Sequence, residues 1–320
     1  MNTPLDTFFV LGSVLVALAH GESGQIHWCY NNASCNENVW VSKPLGFCNG
    51  TRQSPLNINT TSVKGNSSLI AFNFTGFSNN STMTTIENSG HTVKVTFGDG
   101  LVKISGGGLP GTYDVQQFHL HWGNGSDVPG SEHTVDGKHY PMEIHIVTMK
   151  SEFKGNMTLA VTDSNGLAVL GFLIEKKNDS SLPQSWKILT SYLPNITNSG
   201  QKVNITQQFS LDDLLVGVDR TKYYRYLGSL TTPTCDEVVI WTVFKDPVKV
   251  SKNLIDLFST SLYTSDPVLM TNIYRSTQKP NGRSITTQAS ASSPLMTEAR
   301  LFLLPLVVLH VLLWETMMSM

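Results

Sequence analysis

The sequence predicts one large sheet-dominated domain of the mostly β (α+β) class, with a few short helices at its periphery. Segments of alternating apolar and polar residues dominate the middle of the chain, and glycine and asparagine residues separate them. When the two apolar termini are set aside, roughly 270 of the 320 residues remain, which is enough for one large domain. No internal repeat is visible.

The composition indicates a folded and nearly neutral body. Charged residues make up 14 % of the chain, and 40 % of the residues are apolar, with fourteen Phe and six Trp. These values exclude intrinsic disorder for the middle of the chain. The 22 basic and 24 acidic residues become 21 and 21 once residues 1–21 (one acidic) and 291–320 (two acidic, one basic) are removed. A neutral surface argues against binding to nucleic acid or acidic lipids.

The predicted strands follow the alternating pattern along the body. The segments are His91–Phe97, Leu101–Ser105, Tyr113–Trp122, Tyr140–Lys150, Met157–Val161, Leu167–Glu175 and Glu237–Phe244. Helical spacing of Leu254, Ile255, Phe258 and Leu262 predicts a helix with Ser251 as its N-cap. The run beginning at Ser210 predicts the start of another short helix.

The N-terminus resembles a secretory signal. Thr7–Ala19 is an apolar run of 13 residues that ends in Ala-Leu-Ala, which is too short to span a bilayer. We therefore expect residues 1–19 to be a signal peptide, with residue 21 as the latest alternative cleavage position. The alternative is a buried N-terminal helix, because the preceding segment has no Lys or Arg and carries Asp6.

The C-terminus has the pattern of a glycosylphosphatidylinositol (GPI) anchor signal. The apolar stretch 301–314 has no Lys or Arg after it, and small residues at 289–292 precede it by an eight-residue spacer. We place the attachment at Ser290, with Ala289 or Ser292 as alternatives. A retained single-pass helix is the competing interpretation.

These signals divide the chain into a domain at 20–283, a polar stalk at 284–290 that carries the anchor, and a removed propeptide at 291–320. Export agrees with twelve glycosylation sequons, at Asn32, Asn49, Asn59, Asn66, Asn73, Asn79, Asn80, Asn124, Asn156, Asn178, Asn195 and Asn204.

The cysteines are also typical of an exported protein. Their even number, four, predicts two disulfides in an oxidising compartment. Three connectivities are possible, and spacing alone favours only Cys29–Cys35.

Six of the nine histidines lie between His91 and His145, and three of them form a metal-binding pattern. His119 and His121 are two residues apart, so both rings face the same side of a strand. If the strand carrying His145 lies beside it, three imidazoles form three corners of a tetrahedron. The open fourth corner is typical of a catalytic zinc site.

Two polar residues share the predicted faces of these ligands. Gln117 and Glu143 could accept hydrogen bonds from the other ring nitrogens and so fix the tautomers. By itself, a His-X-His pair more often consists of two hydrogen-bonded core or surface histidines.

At these residues the sequence resembles the α-class carbonic anhydrases, from about His27 to Arg283. The shared motifs are QFHLHWG (117–123), GSEHTVDG (130–137), MEIHIV (142–147), GSLTTP (228–233) with Trp241, RQSPLNI (52–58), NSGH (88–91) and GTY (111–113). The resemblance implies a central twisted, largely antiparallel sheet of about ten strands, one Zn²⁺ per chain, and carbon dioxide, water and bicarbonate as substrates.

The cysteines resemble those of the membrane-bound type IV branch and its GPI-anchored relatives. That resemblance implies the pairs Cys29–Cys35 and Cys48–Cys235. The second bridge would join the segment that follows Thr231 to the N-terminal part of the domain.

The resemblance also implies roles at matching positions. His119, His121 and His145 would hold zinc. Thr231 would accept the proton of the zinc-bound hydroxide and donate its own proton to Glu132. His91 matches the position of the proton shuttle, with an ordinary pKa near 6.5.

The substrate sites follow from the same resemblance. Thr231 and Thr232 would line the bicarbonate site. An apolar wall for carbon dioxide would consist of Val147, Val169, Leu230 and Trp241. His133 and His139 match no ligand and are expected to be structural.

Departures from the family pattern leave the ligands intact. Ser89 and Lys94 stand where many members have Asn residues that order water near the shuttle. The sequence therefore predicts a carbonic anhydrase, a lyase, on the extracellular face of a cell membrane. The rival interpretation is a catalytically silent ectodomain for cell-surface binding or adhesion.

Overall fold

A computed structural model describes residues 27–42, 45–179 and 182–289 of the chain. The predicted signal peptide, the attachment site Ser290 and the propeptide lie outside the described residues. Fifteen strands and five α-helices are present in the described part.

The strands are β1 (Asn57–Ile58), β2 (Lys64–Asn66), β3 (Phe72–Thr75), β4 (Met83–Asn88), β5 (Val93–Phe97), β6 (Lys103–Gly106), β7 (Tyr113–Trp122), β8 (Thr134–Val135), β9 (Met142–Lys150), β10 (Leu167–Lys177), β11 (Lys202–Asn204), β12 (Tyr223–Gly228), β13 (Val239–Phe244), β14 (Val248–Ser251) and β15 (Thr286–Gln288). The helices are α1 (Glu37–Trp40), α2 (Met157–Ala160), α3 (Gln184–Ser191), α4 (Leu211–Leu214) and α5 (Lys252–Ser261).

Thirteen strands form one large mixed sheet, which confirms the predicted fold class. Its longest continuous order contains ten strands, β11-β4-β5-β7-β9-β10-β13-β12-β15-β2, and most neighbouring pairs are antiparallel. Strand β10 pairs in parallel with β13 and β14. The long strands β7, β9 and β10 lie side by side in the middle of the sheet.

The core lies on both faces of these central strands. The larger apolar cluster contains Phe118, Leu120 and Ile144, and a second cluster contains Val147 and Trp241. Because the sheet is covered on both sides, β9 is buried along nearly its whole length. A polar residue on β9 is therefore forced into the interior, where it needs a partner.

Two predicted helices are present where the sequence places them. Helix α5 begins after Ser251, and α4 begins after Ser210, whose side chain and that of Asp213 form a reciprocal capping box. The strand predicted at 157–161 is wrong, because this segment is helix α2. The Asn156 side chain accepts the N–H of Leu159, and this N-cap favours a helical turn over an extended run.

The predicted stalk differs from the structure at its start. Strand β15, at 286–288, pairs with β12 and with β2, so this part of segment 284–290 belongs to the sheet. Polar Ser and Thr residues suggested a linker, yet strand pairing needs only backbone groups and accepts Thr readily. In the described part of the chain, no helix has the length and apolar character needed to cross a membrane.

Candidate metal centre

The pairing of β7 with β9 brings the three predicted ligand histidines together. His119 lies directly opposite His145, and His121 lies opposite Glu143 in this antiparallel pair. Residues in register share a face of the sheet, as do alternate residues along one strand. All four side chains therefore point to the same side of the sheet, and His121, Glu143 and His145 are buried.

Each of these rings has one nitrogen that contacts an oxygen acceptor. His119 Nδ1 lies 3.0 Å from Gln117 Oε1, His121 Nδ1 lies 2.9 Å from the Ile273 carbonyl, and His145 Nε2 lies 2.8 Å from Glu143 Oε1. Carbonyl and carboxylate oxygens only accept, so these ring nitrogens donate. In a neutral imidazole the other nitrogen then carries a lone pair.

The three rings lie close enough together to share one metal ion. One nitrogen from each of the three rings lies within 4.8 Å of the others, and His121 Nε2 is 3.1 Å from His145 Nδ1. Two lone pairs at this distance repel unless a cation lies between them. A tetrahedral ion bound at 2.0–2.1 Å separates its nitrogen ligands by roughly 3.3 Å. The donor set and its spacing therefore fit zinc.

The environment keeps these imidazoles neutral. Burial is the main cause that lowers the pKa of His121, to about 4, and it also lowers the pKa of His119 and His145. Neutral imidazole is the form that binds a metal. The three rings are thus held ready as ligands near neutral pH.

A buried network around Glu143 fixes His145. The backbone N–H groups of Glu132 and His133 donate to Glu143 Oε2 at 2.9 and 2.8 Å, and His133 Nδ1 lies 2.6 Å from Oε1. Burial raises the pKa of Glu143, but His133 and His145 outweigh it and hold that pKa well below its ordinary value. The other nitrogen of His133 contacts the Tyr226 hydroxyl at 2.7 Å.

Sequence reasoning missed this connecting role of His133. The signal that could have found it is its place one residue after Glu132, in the motif between the two ligand strands. His133 also belongs to a second group that could hold a metal ion, with Glu143 and His145. Hydrogen bonds within that group already occupy its carboxylate.

Glu132 lies beside two of the three histidines. Its Oε1 accepts the backbone N–H of Arg275 at 2.9 Å and lies 3.4 Å from His121 Nδ1. Burial raises the pKa of Glu132 to about 7, while His145, the Thr231 hydroxyl and the Arg275 amide stabilise its charged form. Among the described residues, Oε2 has no hydrogen-bond partner. Thr231 is itself buried, with 5 % of its surface exposed.

The side chain of Arg275 is itself held in place by hydrogen bonds. Its guanidinium donates to Gln53 Oε1 and to the carbonyls of Ser54 and Cys48 at 2.8–3.0 Å. The side chain is 2 % exposed. The backbone amide that contacts Glu132 is thus held by a buried side chain anchored in the N-terminal part of the domain.

The predicted apolar wall also forms one group. Val169 on β10 is in register with Val147 on β9 and with Trp241 on β13. All three are buried, and Leu230 packs against the same cluster. Apolar side chains from three neighbouring strands therefore lie together on the face that carries the histidines.

Both disulfides implied by the cysteine resemblance are present, Cys29–Cys35 and Cys48–Cys235. The backbone N–H of Cys235 donates to the Thr232 carbonyl at 2.8 Å. The second bridge therefore closes a turn that begins directly after Thr231 and ties it to the segment around Cys48.

His91 lies in the turn before β5 and is half-buried. Its ring stacks on Trp28, with centroids 3.8 Å apart and an interplanar angle of 11°. A cavity of about 730 Å³ is lined by both rings, by Pro233 and by Ile273, whose carbonyl holds His121. Burial, together with His27, lowers the pKa of His91.

A comparison with known proteins gives the class of protein that this fold and site define. The family model for eukaryotic-type carbonic anhydrases matches residues 35–289. The chain belongs to this family, whose members are zinc-dependent lyases that hydrate carbon dioxide.

Similar proteins carry the same family name. The chain is 37 % identical to carbonic anhydrase 6 of Bos taurus over 272 residues, which cover 85 % of this chain and 83 % of the relative. It is 40 % identical to carbonic anhydrase 4 of Oryctolagus cuniculus over 245 residues, covering 75 % and 76 %. Identity to carbonic anhydrase 4 of Mus musculus is 39 % over 262 residues, covering 79 % and 80 %.

Proposed function

We propose that this protein catalyses the zinc-dependent, reversible hydration of carbon dioxide to bicarbonate and a proton at the extracellular face of a cell membrane. The observation that carries the proposal is the donor set. Each of three imidazoles, two of them buried and one half-buried, has one nitrogen engaged by an oxygen acceptor, and one nitrogen from each ring lies within 4.8 Å of the others.

Some of these residues would bind the metal, and others would orient the ligand at its open position. Zinc bound by His119, His121 and His145 would lower the pKa of a bound water to about 7 and so supply a nucleophile at neutral pH. The Thr231 hydroxyl would donate a hydrogen bond to the Glu132 carboxylate, so the Thr231 oxygen is left to accept a hydrogen bond. Thr231 thereby selects and orients a protonated oxygen ligand at the open position.

Carbon dioxide is nonpolar, and the wall of Val147, Val169, Leu230 and Trp241 offers it a matching surface. These side chains also exclude water from the reacting face, which strengthens the electrostatic contacts there. The charged product, bicarbonate, would contact Thr231 and Thr232 instead.

We assign proton transfer to solvent to His91. Its place beside the cavity and its titratable ring suit this role. His91→Ala should slow hydration in dilute buffer, and added imidazole should restore part of the rate. An unchanged rate in dilute buffer would mean that protons leave by another route.

The extracellular location rests on sequence signals outside the described residues, residues 1–19 and the attachment site Ser290. Two disulfides, which form in oxidising compartments, support it. Phosphatidylinositol-specific phospholipase should release active enzyme from intact cells, whereas high salt should not. Enzyme that stays bound and still contains residues 301–320 would refute GPI anchoring.

The catalytic proposal is tested on purified enzyme by a metal count and stopped-flow hydration of carbon dioxide. We expect one zinc per chain, rapid hydration, and loss of both after removal of zinc by a chelator. Zinc-free protein without hydration activity would instead indicate a silent binding ectodomain.

A further inference from the structure

A row of charged side chains leads across the sheet to the three histidines. Lys202 on β11 is in register with Glu87 on β4, Glu87 with Lys94 on β5, Lys94 with His119, and His119 with His145. Residues directly opposite each other on neighbouring antiparallel strands share a face. The row therefore extends from the sheet edge to the metal centre on one face.

Ion pairs connect the outer part of this row. Lys94 Nζ lies 2.5 Å from Glu87 Oε1, and Lys202 Nζ lies 3.6 Å from Glu87 Oε2. The row carries two cations and one anion before it reaches His119, so it has one excess positive charge. The side chain of Lys94 is 36 % exposed, so its ammonium group is only partly screened by solvent.

The charge of Lys94 reaches the metal centre. Lys94 lies directly opposite His119, so its cation is on the histidine face one strand away from the metal centre, and its electric field extends to that centre. The same field attracts an anion that approaches the open position beside His119. The negative charge of Glu87, one strand further away, weakens this attraction.

We propose that Lys94 is a specificity-determining residue that favours small anions, bicarbonate among them, at the three-histidine site, and that Glu87 attenuates this effect. The inference rests on the proposed function, because the reaction has an anionic product and a neutral substrate.

The test is the dissociation constant of azide, a small monovalent anion that binds zinc, measured by calorimetry on the zinc-loaded enzyme at low ionic strength. Lys94→Gln should weaken azide binding about fivefold, because it removes the nearer cation. Glu87→Gln should tighten binding about threefold, because Lys94 then acts unopposed. Lys94→Arg should stay within about twofold of the wild type, because it keeps the charge.

The matched control is Lys202→Gln, which removes a lysine of the same row beyond Glu87. Its effect should be less than about twofold, because its charge lies farther from the site. Raising the ionic strength with a large, non-coordinating anion should shrink the difference between the wild type and Lys94→Gln.

A merely structural role of the ion pair predicts a different pattern. Lys94→Gln and Glu87→Gln break the same pair, so a structural effect would shift azide binding in one direction in both variants. Azide affinity that shifts in the same direction in both variants, or that is unchanged in Lys94→Gln, would overturn the inference. Zinc-free or inactive wild-type enzyme would refute the proposed function, whereas an active enzyme without this pattern would refute only the role of Lys94.

Discussion

The two faces of strands β7 and β9 have opposite chemistry although they share one backbone. One face carries His119, His121 and His145, each with an oxygen acceptor. The other carries Phe118 and its apolar neighbours Leu120, Trp122, Ile144 and Ile146, all 0–1 % exposed. The histidine face is the more open of the two, because Gln117 and His119 are only half-buried.

The two faces also differ in the contacts that their side chains need. Apolar side chains need only close packing, and many sequences can supply it. Each buried imidazole needs an acceptor in a defined position, since an unpaired polar group in the interior costs about 1–3 kcal/mol. Stability should therefore depend mainly on the apolar face, and metal binding on the polar face.

The largest expected effect is on the polar face. His145→Ala should abolish stoichiometric zinc binding and reduce hydration at least about 1000-fold, because two imidazoles hold an open tetrahedral site weakly. Metal analysis and stopped-flow kinetics check this. Stoichiometric zinc and normal turnover in this variant would remove the three-histidine assignment.

A matched substitution on the apolar face should behave in the opposite way. Phe118→Ala should lower the free energy of unfolding by about 3–5 kcal/mol, because it leaves a cavity in the core against Phe97. Denaturant unfolding measures the loss, and the fraction that remains folded should still bind one zinc. Loss of zinc from the folded fraction would show that the two faces are not separable.

A smaller effect should come from the glycine opposite His145. A Cβ at Gly171 would lie 3.1 Å from Glu143 Oε1, so Gly171→Ala should displace the carboxylate and weaken zinc binding about tenfold. Competition with a chelator measures zinc affinity. The control is Gly111→Ala, because a Cβ there meets nothing within 4 Å. Equal zinc affinity in both variants would contradict the positioning of Glu143 by its neighbours.

The smallest expected effect is on the number of protons that the enzyme releases when zinc binds. Three ordinary histidines with a pKa near 6.5 would together carry about two protons at pH 6 and would release them when zinc binds. Because burial lowers these pKa values, and that of His121 to about 4, we expect the histidines to release fewer than one proton. Glu132, whose pKa is raised to about 7, should add at most one more. Calorimetry in two buffers of different ionisation enthalpy gives this number. Release of two or more would show that the imidazoles are not held neutral.

Local sequence patterns predicted much of both faces. The spacing of His119 and His121 indicates a shared strand face, and alternation defines β7 with its observed bounds. The start of α5 after Ser251 follows from helical spacing. These features depend on residues close in sequence, so the chain itself displays them.

The contacts that complete the site could not be predicted in this way. The acceptor for His121 is the backbone carbonyl of Ile273, 152 residues away, and a carbonyl has no residue signature. The amide of Arg275 that holds Glu132 is 143 residues away. Helix α2 was missed because a run of five partly apolar residues fits the periodicity of a strand as well as that of a helix. The N-cap at Asn156 favours the helix.

The most direct test is a crystal structure of the enzyme with anomalous diffraction measured on both sides of the zinc absorption edge. We expect one zinc peak about 2.0–2.1 Å from one ring nitrogen of each of His119, His121 and His145. The other ring nitrogens should still donate to Gln117, Ile273 and Glu143. A zinc peak held instead by His133 and Glu143, or no peak at the three histidines in active enzyme, would contradict it.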